Sequence, residues 1–503
     1  MRLFSALNFG KRNLARPFYV DKTYDKAARN VARRTGYLLK PLPFQEQDDR
    51  ESLIDFSQVN EQIQERPREM TSIPYEVTQE NKFDIINRVM CPLSIVSYDN
   101  QLKLKYTATK TLLKKFGQTV KKNNTTPIIT DSQGLPCPVE FTKKSPLQTE
   151  YRNKDEYSIW PGIDGNRKTV GFFIGEPSVH NNVVCVEPDK LIISKKSHRK
   201  MASLFQEYLR NVSPLDVCTN FSEGGNWRRF VVRSNEKGEH MIVGQLHPQE
   251  LSEEALEEEK GRMSNFFDKL SGDMNITSAY FQALRTSRSS HDKDPYQLLF
   301  GETHLEETLL EKKFLVSPES FFQVNTLAAE ILYQTVIEEL MLTKDMTLID
   351  LGSGTGTFSV LAAPYVRRVI GIEQSKQAVE DARRNASLNA VRNITFINGT
   401  AEDVLPSLTN QFFGQRVVVV ANPGRGGLRS SAISSLREME QIEKLIYVAC
   451  KPRGEALKNF FHLSMNRSRN CEGTPFIPVN AIPVDMFPQT DHVELVLAFE
   501  RFQ

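Results

Sequence analysis

A glycine-rich segment, Asp350-Leu351-Gly352-Ser353-Gly354-Thr355-Gly356-Thr357-Phe358, follows directly on the apolar run Thr347–Leu351. Glycines in that setting allow a tight strand-to-helix turn and a close approach of backbone to ligand before a helix begins. Dinucleotide sites share this pattern, so the neighbouring acids decide the reading. Asp350 ends the first run, where it can meet a cationic ligand, and Glu373 ends the second, where an acid accepts both hydroxyls of a ribose. After the third run, Gly399-Thr400-Ala401-Glu402-Asp403 offers backbone amides and the Glu402 carboxylate to an adenine edge. The set suits a cationic nucleoside cofactor, S-adenosylmethionine, with Gly352, Gly354 and Gly356 shaping its turn. The bland alternative is that these acids only cap helices.

Four further blocks carry reactive or polar groups. Cys450 ends the apolar run Leu445–Ala449 within Tyr447-Val448-Ala449-Cys450-Lys451-Pro452. A thiol at the end of a central strand can serve as a nucleophile; an average cysteine there is simply core. Asn422-Pro423-Gly424-Arg425-Gly426-Gly427-Leu428 follows the preceding run, and Asp485 to Glu494, DMFPQTDHVE, precedes a last strand at Leu495–Phe499. Upstream, Ser317 to Asn325 reads SPESFFQVN.

These groups need a scaffold. The runs Thr347–Leu351, Val366–Glu373, Ile394–Asn398, Val417–Ala421 and Leu445–Ala449 are short and apolar throughout, with helical stretches between most of them. That pattern predicts strands buried on both faces, joined by parallel crossovers in a doubly wound α/β domain with its ligand at their carboxyl ends. Residues 150–305 predict a mixed α+β region instead. Tyr157–Trp160 and Thr169–Gly175 flank the turn pair Asp164-Gly165, strands are expected at Val183–Val186, Arg229–Arg233 and Met241–Leu246, and helices at Ser197–Leu209 and Ser252–Leu270. Helical spacing also runs through Thr78–Leu113.

At 503 residues the chain has room for about three domains at roughly 100–200 residues each. Its 39% hydrophobic and 25% charged content is ordinary for a globular protein, and a net charge of +2 advertises no nucleic-acid partner overall. No apolar run approaches the roughly 20 residues of a membrane span, so no membrane partner is expected. The six cysteines are too scattered for a zinc or iron–sulfur knuckle, so no metal is expected either. Charge is local. Residues 1–44 hold ten Lys and Arg against two acids, which predicts a mitochondrial transit segment and hence a matrix location, or else a basic tail for RNA. Residues 45–85 predict an acidic linker, 86–310 the central region, and 311–503 the catalytic domain.

Four blocks in fixed order, FFQVN, DLGSGTG, the NPGRGGL/YVACKP pair and DMFPQTDHVE, resemble the S-adenosylmethionine-dependent RNA uracil-5-methyltransferases, and within them the animal mitochondrial branch. The similarity covers most of residues 145–503. It implies a Rossmann-like methyltransferase domain preceded by a mixed α+β RNA-binding domain, with structured RNA as partner (tRNA first, rRNA second), acting as a monomer. It implies Cys450 as nucleophile toward uracil carbon 6 and Glu494 as the base that removes the carbon 5 proton. Gln323 and Asn422 are implied at both cofactor and substrate, Phe321 as a stacking wall, and Arg425 or Lys451 as the positive charge beside the thiol. Many relatives carry an acid and a second proline where this chain has Asn422 and Gly424. Asparagine keeps a carbonyl acceptor but no charge, and the Arg425-Gly426-Gly427 loop is expected to be looser, which leaves a noncatalytic RNA-binding or folding factor as the alternative function. RNA contacts are expected at two basic runs, one holding Lys143, Lys144, Arg152, Lys154, Arg167 and Lys168, the other Lys195, Lys196, His198, Arg199 and Lys200, with Trp227-Arg228-Arg229 beside them.

Overall fold

Near-continuous burial marks most strands of the two large sheets in the computed structural model, which describes residues 77–122, 130–174, 183–219, 224–285, 294–466 and 473–501. The expected transit segment, and all of the acidic linker up to residue 76, lie outside the described residues. Two helices come first, α1 (Lys82–Met90) and α2 (Tyr98–Lys122), separated near Pro92. The central sheet then takes β1 (Lys154–Trp160), β2 (Thr169–Ile174), β3 (Val184–Val186), β4 (Trp227–Ser234), β5 (His240–Leu246), β6 (Ile276–Ala283) and β7 (Gln297–Gly301). Their order is β3-β2-β1-β4-β5-β6-β7. All neighbours are antiparallel except β5 and β6. Helices α3 (Lys196–Asn211) and α4 (Glu253–Asp268) cover one face. There Phe205 stacks on Phe230 at 4.0 Å between centroids, beside the fully buried Trp227.

A hairpin of β8 (Leu305–Leu309) and β9 (Lys312–Val316) and helix α5 (Thr326–Leu340) lead into the second sheet. Its elements are β10 (Met346–Leu351), α6 (Thr357–Ala362), β11 (Arg368–Glu373), α7 (Lys376–Leu388), β12 (Ile394–Asn398), α8 (Ala401–Leu408), β13 (Arg416–Ala421), α9 (Ser430–Glu438), β14 (Ile442–Ala449), α10 (Glu455–Ser464), β15 (Phe476–Val484) and β16 (Glu494–Arg501). The order is β12-β11-β10-β13-β14-β16-β15. The first five strands are parallel, whereas β16 runs antiparallel to both β14 and β15. Every residue of β10 is buried, as a strand covered on both faces requires.

Three placements drawn from composition change. Residues 98–145 fall in the span expected to be central, yet Leu113, Phe116, Val120, Leu135 and Cys137 share an apolar core with β10, β13 and β14. Phe116 meets Phe460 and Phe461 of α10 at 6.2 and 5.2 Å, and Val139 and Lys143 bridge to Ala481 and Val484 of β15. The β8–β9 hairpin straddles the expected break at 310/311, and Leu309, Phe314 and Val316 pack into the core that α5 covers. Helix α1 begins inside the expected linker and buries Ile85 and Ile86 against Ile174 and Val186 of the central sheet. Apolar burial, which charge counting does not register, sets all three positions.

Because α2 completes the catalytic core, emptying its contact should destabilise the enzyme region itself. Phe116→Ala should cost about 3–5 kcal/mol and lower the calorimetric unfolding midpoint; an unchanged midpoint would show that α2 is an appendage.

Candidate active site

The glycine turn leaves β10 with Gly352 at a φ of +75°, where an added Cβ would lie 2.9 Å from the carbonyl oxygen of Asn422. Gly354 has a φ of +53° with nothing within 4 Å of the Cβ position, so that face of the turn is open. Gly356 caps α6. Glu373 at the end of β11 braces the turn: one carboxylate oxygen accepts from the Gly354 amide at 3.0 Å and the other from the Ser375 amide at 2.9 Å. Each oxygen retains a second lone pair for a hydroxyl. Asp350 is buried and accepts from Ser359 Oγ at 2.6 Å; burial, aided by the charge of Glu373 and opposed by that hydrogen bond, pushes its carboxyl up to about 6.

Open space of about 540 Å³ adjoins this turn, lined by Gln323, Tyr333, Asp350, Gly354, Phe358 and Asn422 among others. An open Gly354, a carboxylate at the end of β11 and a buried acid at the end of β10 fit S-adenosylmethionine. Asp350 and Gln323 stand where they can hold its amino-acid end, and Glu373 its ribose. A larger cleft of about 2440 Å³ shares Phe321, Gly354 and Thr355 with this cavity and runs across the central sheet past Lys154, Arg229 and Tyr280. The Phe321 ring is 69% exposed at the junction.

The reactive pair is placed by strand register. Ala449 of β14 pairs with Leu495 of β16, so Cys450 and Glu494 occupy the next positions across the same ladder. Glu494 is 2% exposed, and its Oε2 has no hydrogen-bond partner. Burial alone pushes its carboxyl up to about 8. Cys450, the one cysteine of the five described that is not buried, has its thiol pushed up by burial and then by the charge of Glu494. The Arg425 guanidinium hydrogen-bonds the thiol and pulls the other way. Of the two cations expected beside the thiol, Arg425 is thus the one that acts on it.

Other expected site residues are engaged elsewhere. Glu402, in the first turn of α8, pairs with Arg429 at 3.0 Å. Arg152 is bound to the buried Asp155 at 2.8 Å. Lys154 reaches the large cleft while paired with Glu156 at 2.6 Å. Much of the two basic runs is consumed internally. Lys168 donates to the carbonyls of Leu209 and Ser213, Arg199 to those of Leu191 and Ser194, Arg167 pairs with Asp216, and His198 is buried between Asp155 and Ser234. The loop after Asn422, expected to be loose, is anchored by a residue the sequence did not flag. Asn459 on α10 accepts from the Leu428 amide at 2.7 Å and from the Tyr447 hydroxyl at 2.8 Å, and donates to the Leu428 carbonyl. Tyr333 was likewise missed; it lines the cofactor cavity and hydrogen-bonds Gln323. Among the described residues no helix is long and apolar enough to cross a membrane, and no cluster of three metal-ligating side chains occurs.

Residues 342–459 match a family described as a methyltransferase domain. The chain is 41% identical over 420 residues to tRNA (uracil-5-)-methyltransferase homolog B of Danio rerio, covering 83% of this chain and 86% of that protein. The human homolog B is 40% identical over the same length, with 82% and 83% covered. This chain belongs to the RNA uracil-5-methyltransferase family. The human homolog A is 34% identical over 423 residues. The fold is that of the Pyrococcus abyssi tRNA (uracil-54, C5)-methyltransferase solved with S-adenosyl-L-homocysteine, at a TM-score of 0.58 and 23% identity over 82% of this chain and 84% of that one. The family-wide methyltransferase match stops at residue 459, short of Glu494; the last strand was legible in the sequence, and its register against β14 comes from the structure.

Glu494 should leave a signature in stability. Folded, it keeps its proton up to about pH 8, whereas an ordinary carboxyl of its kind gives it up near 4.5. The stability this proton contributes is therefore complete below 4.5 and lost as the pH rises through about 8. Glu494→Gln, which cannot ionise, should gain a few degrees in thermal midpoint relative to the native protein between about pH 5 and about pH 9; parallel curves would mean that Glu494 is not held protonated.

Proposed function

We propose that this protein methylates carbon 5 of a uridine in structured mitochondrial RNA, with a tRNA T-loop as its main substrate and small-subunit rRNA as a further one, through a covalent cysteine adduct. The observation that carries the reading is the adjacency of Cys450, Glu494 and Arg425 beside a cavity suited to S-adenosylmethionine. When bound, that cofactor supplies a methyl group on a positively charged sulfur. Every other step falls to the chain itself.

Carbon 5 of uracil is a poor nucleophile until its conjugation is broken. Cys450, its thiol proton released to solvent and the thiolate favoured by Arg425, forms a bond to carbon 6 and shifts the ring electrons onto the carbon 4 oxygen as an enolate. Asn422 can hydrogen-bond the uracil edge but brings no charge to it. Once carbon 5 has been methylated, Glu494 in its ionised form takes the carbon 5 proton, and the returning electrons expel Cys450 as the thiolate. Desolvation suits Glu494 to this task, since a carboxylate raised to about 8 is a stronger base than an exposed one. The base must leave its stack to reach the thiol, which a loop allows more readily than a duplex. The exposed Phe321 ring stands at the point where the RNA cleft meets the cofactor cavity, ready to stack on it.

The roles separate experimentally. With uridine RNA, Glu494→Gln should accumulate a methylated covalent adduct, seen by denaturing electrophoresis and mass spectrometry, and Cys450→Ala should form none. A Cys450→Ala enzyme that still turns over would remove the mechanism. Loss of 5-methyluridine from mitochondrial tRNA without this protein supports the substrate reading. Full rescue of all the other phenotypes of that loss by Cys450→Ala would favour a folding factor instead.

A further inference from the structure

Residues 485–493 connect β15 to β16 without regular structure, yet their carbonyl groups are taken up one after another by distant parts of the chain. The carbonyl of Met486 accepts from Asn325 Nδ2 at 3.1 Å, that of Phe487 from Lys105 Nζ at 3.0 Å, that of Pro488 from the Tyr151 hydroxyl at 3.0 Å, and that of Gln489 from the Leu93 amide at 2.9 Å. Three of these four donors lie between residues 93 and 151. Gln101 of α2 adds a reciprocal pair with Gln489: its amide donates to the Gln489 side chain and its carbonyl oxygen accepts from the Gln489 backbone, each at 2.9 Å. Gln489 is held at a φ of +70°, unusual for a residue with a side chain.

At the start of this connection is a buried ion pair. Lys105 Nζ lies 2.6 Å from Asp485 Oδ1, and the two side chains are 1% and 0% exposed. The same carboxylate oxygen accepts from the Phe487 amide at 3.2 Å. Buried ion pairs are poor sources of stability because desolvation offsets their attraction; their best-attested use is to fix one geometry over others. Here the geometry in question is close to the reaction. Asp485 directly follows Val484, and Val484 is the register partner of Glu494. Lys105 thus fixes the far side of the strand pair from which Glu494 meets Cys450.

We propose that Lys105 is a positioning residue for removal of the carbon 5 proton: by gripping Asp485 and the Phe487 carbonyl, it sets Glu494 against the adduct, so that α2 belongs to the catalytic apparatus. This rests on Glu494 being the base. Misplacement of a reacting group by an ångström is enough to cost about a hundredfold in rate, whereas the Lys105 ammonium bonds to Asp485 and the Phe487 carbonyl and not to β14, β10 or the glycine turn.

The test uses the full chain with uridine RNA in single-turnover experiments that follow methyl transfer and adduct decay separately. Replacing Lys105 alone strands a buried carboxylate, so the charge-neutral double variant Lys105→Met/Asp485→Asn is used, with Gln101→Ala as an independent second probe. Both should transfer the methyl group within about threefold of the native rate while the adduct decays about tenfold more slowly or worse. Lys105→Arg, which keeps a cation, should restore decay to within about threefold. Equal loss in both steps, or decay at the native rate, would reduce Lys105 to a structural role and overturn the proposal. Glu494→Gln run in parallel separates the two ideas. If it accumulates adduct and the Lys105 and Gln101 variants do not, only the positioning claim fails; if it does not, the assignment of the base fails.

Discussion

One antiparallel strand organises the chemistry. In a sheet whose other central strands run parallel, β16 inserts against β14 in the opposite sense, and the first residue of one arrives beside the residue following the other. Glu494 and Cys450 meet as a consequence of ladder register rather than of loop flexibility. The cost is a buried carboxyl with an oxygen that no protein group satisfies, an arrangement that disfavours the charged form and weakens the fold. The surrounding sheet, with β16 buried on nearly every residue and β14 likewise, is what tolerates it. The two groups also bear on each other: the negative charge of Glu494 opposes ionisation of the thiol, and Arg425 offsets it.

The central sheet contributes to the site by holding the segment 317–323 that lines both clefts. Arg233 of β4 donates to the Ser320 carbonyl at 2.7 Å, and Asn153 donates through its side chain to the Gln323 carbonyl and through its backbone amide to that of Val324, both at 2.8 Å. From the other side, Ser317 and Ser320 each donate to Asp381 of α7 at 2.8 Å. Between these ties the Phe321 ring is left exposed while Gln323 is turned into the cofactor cavity. Ties from the central region and from α7 hold this segment so that its aromatic surface stays presented without being buried.

The sequence made the five parallel strands and the glycine turn legible because strands covered on both faces read as unbroken apolar runs, and the turn has few ways to be built. It did not reveal β15, whose Pro478 and Pro483 look like loop signals; β15 is the edge strand of its sheet, where a missing amide is tolerated. The edge strand β7, largely exposed, was invisible for a related reason: it has no alternation to read. Charge was the most misleading signal. Counting Lys and Arg suggested an RNA surface, but carbonyl groups and acids brought close only by folding claim Lys168, Arg199 and Arg152. The same limitation hid Lys105. Its partner Asp485 is 380 residues away, and no local pattern links them. Asp485 and Glu494 stood out as a motif, but that the segment between them is gripped by α2 is a property of the packed chain.

The claim on which the rest depends is that Cys450 and Glu494 share one electrostatic environment. Its direct measurement is the pH dependence of Cys450 alkylation by iodoacetamide, followed by peptide mass spectrometry in the native protein and in Glu494→Gln. Removing the carboxylate removes a charge that holds the thiol up, so the midpoint of Cys450 reactivity should move to lower pH in the variant. Superimposable curves for the two proteins would contradict the account, because they would mean that the thiol does not sense the carboxyl group placed beside it.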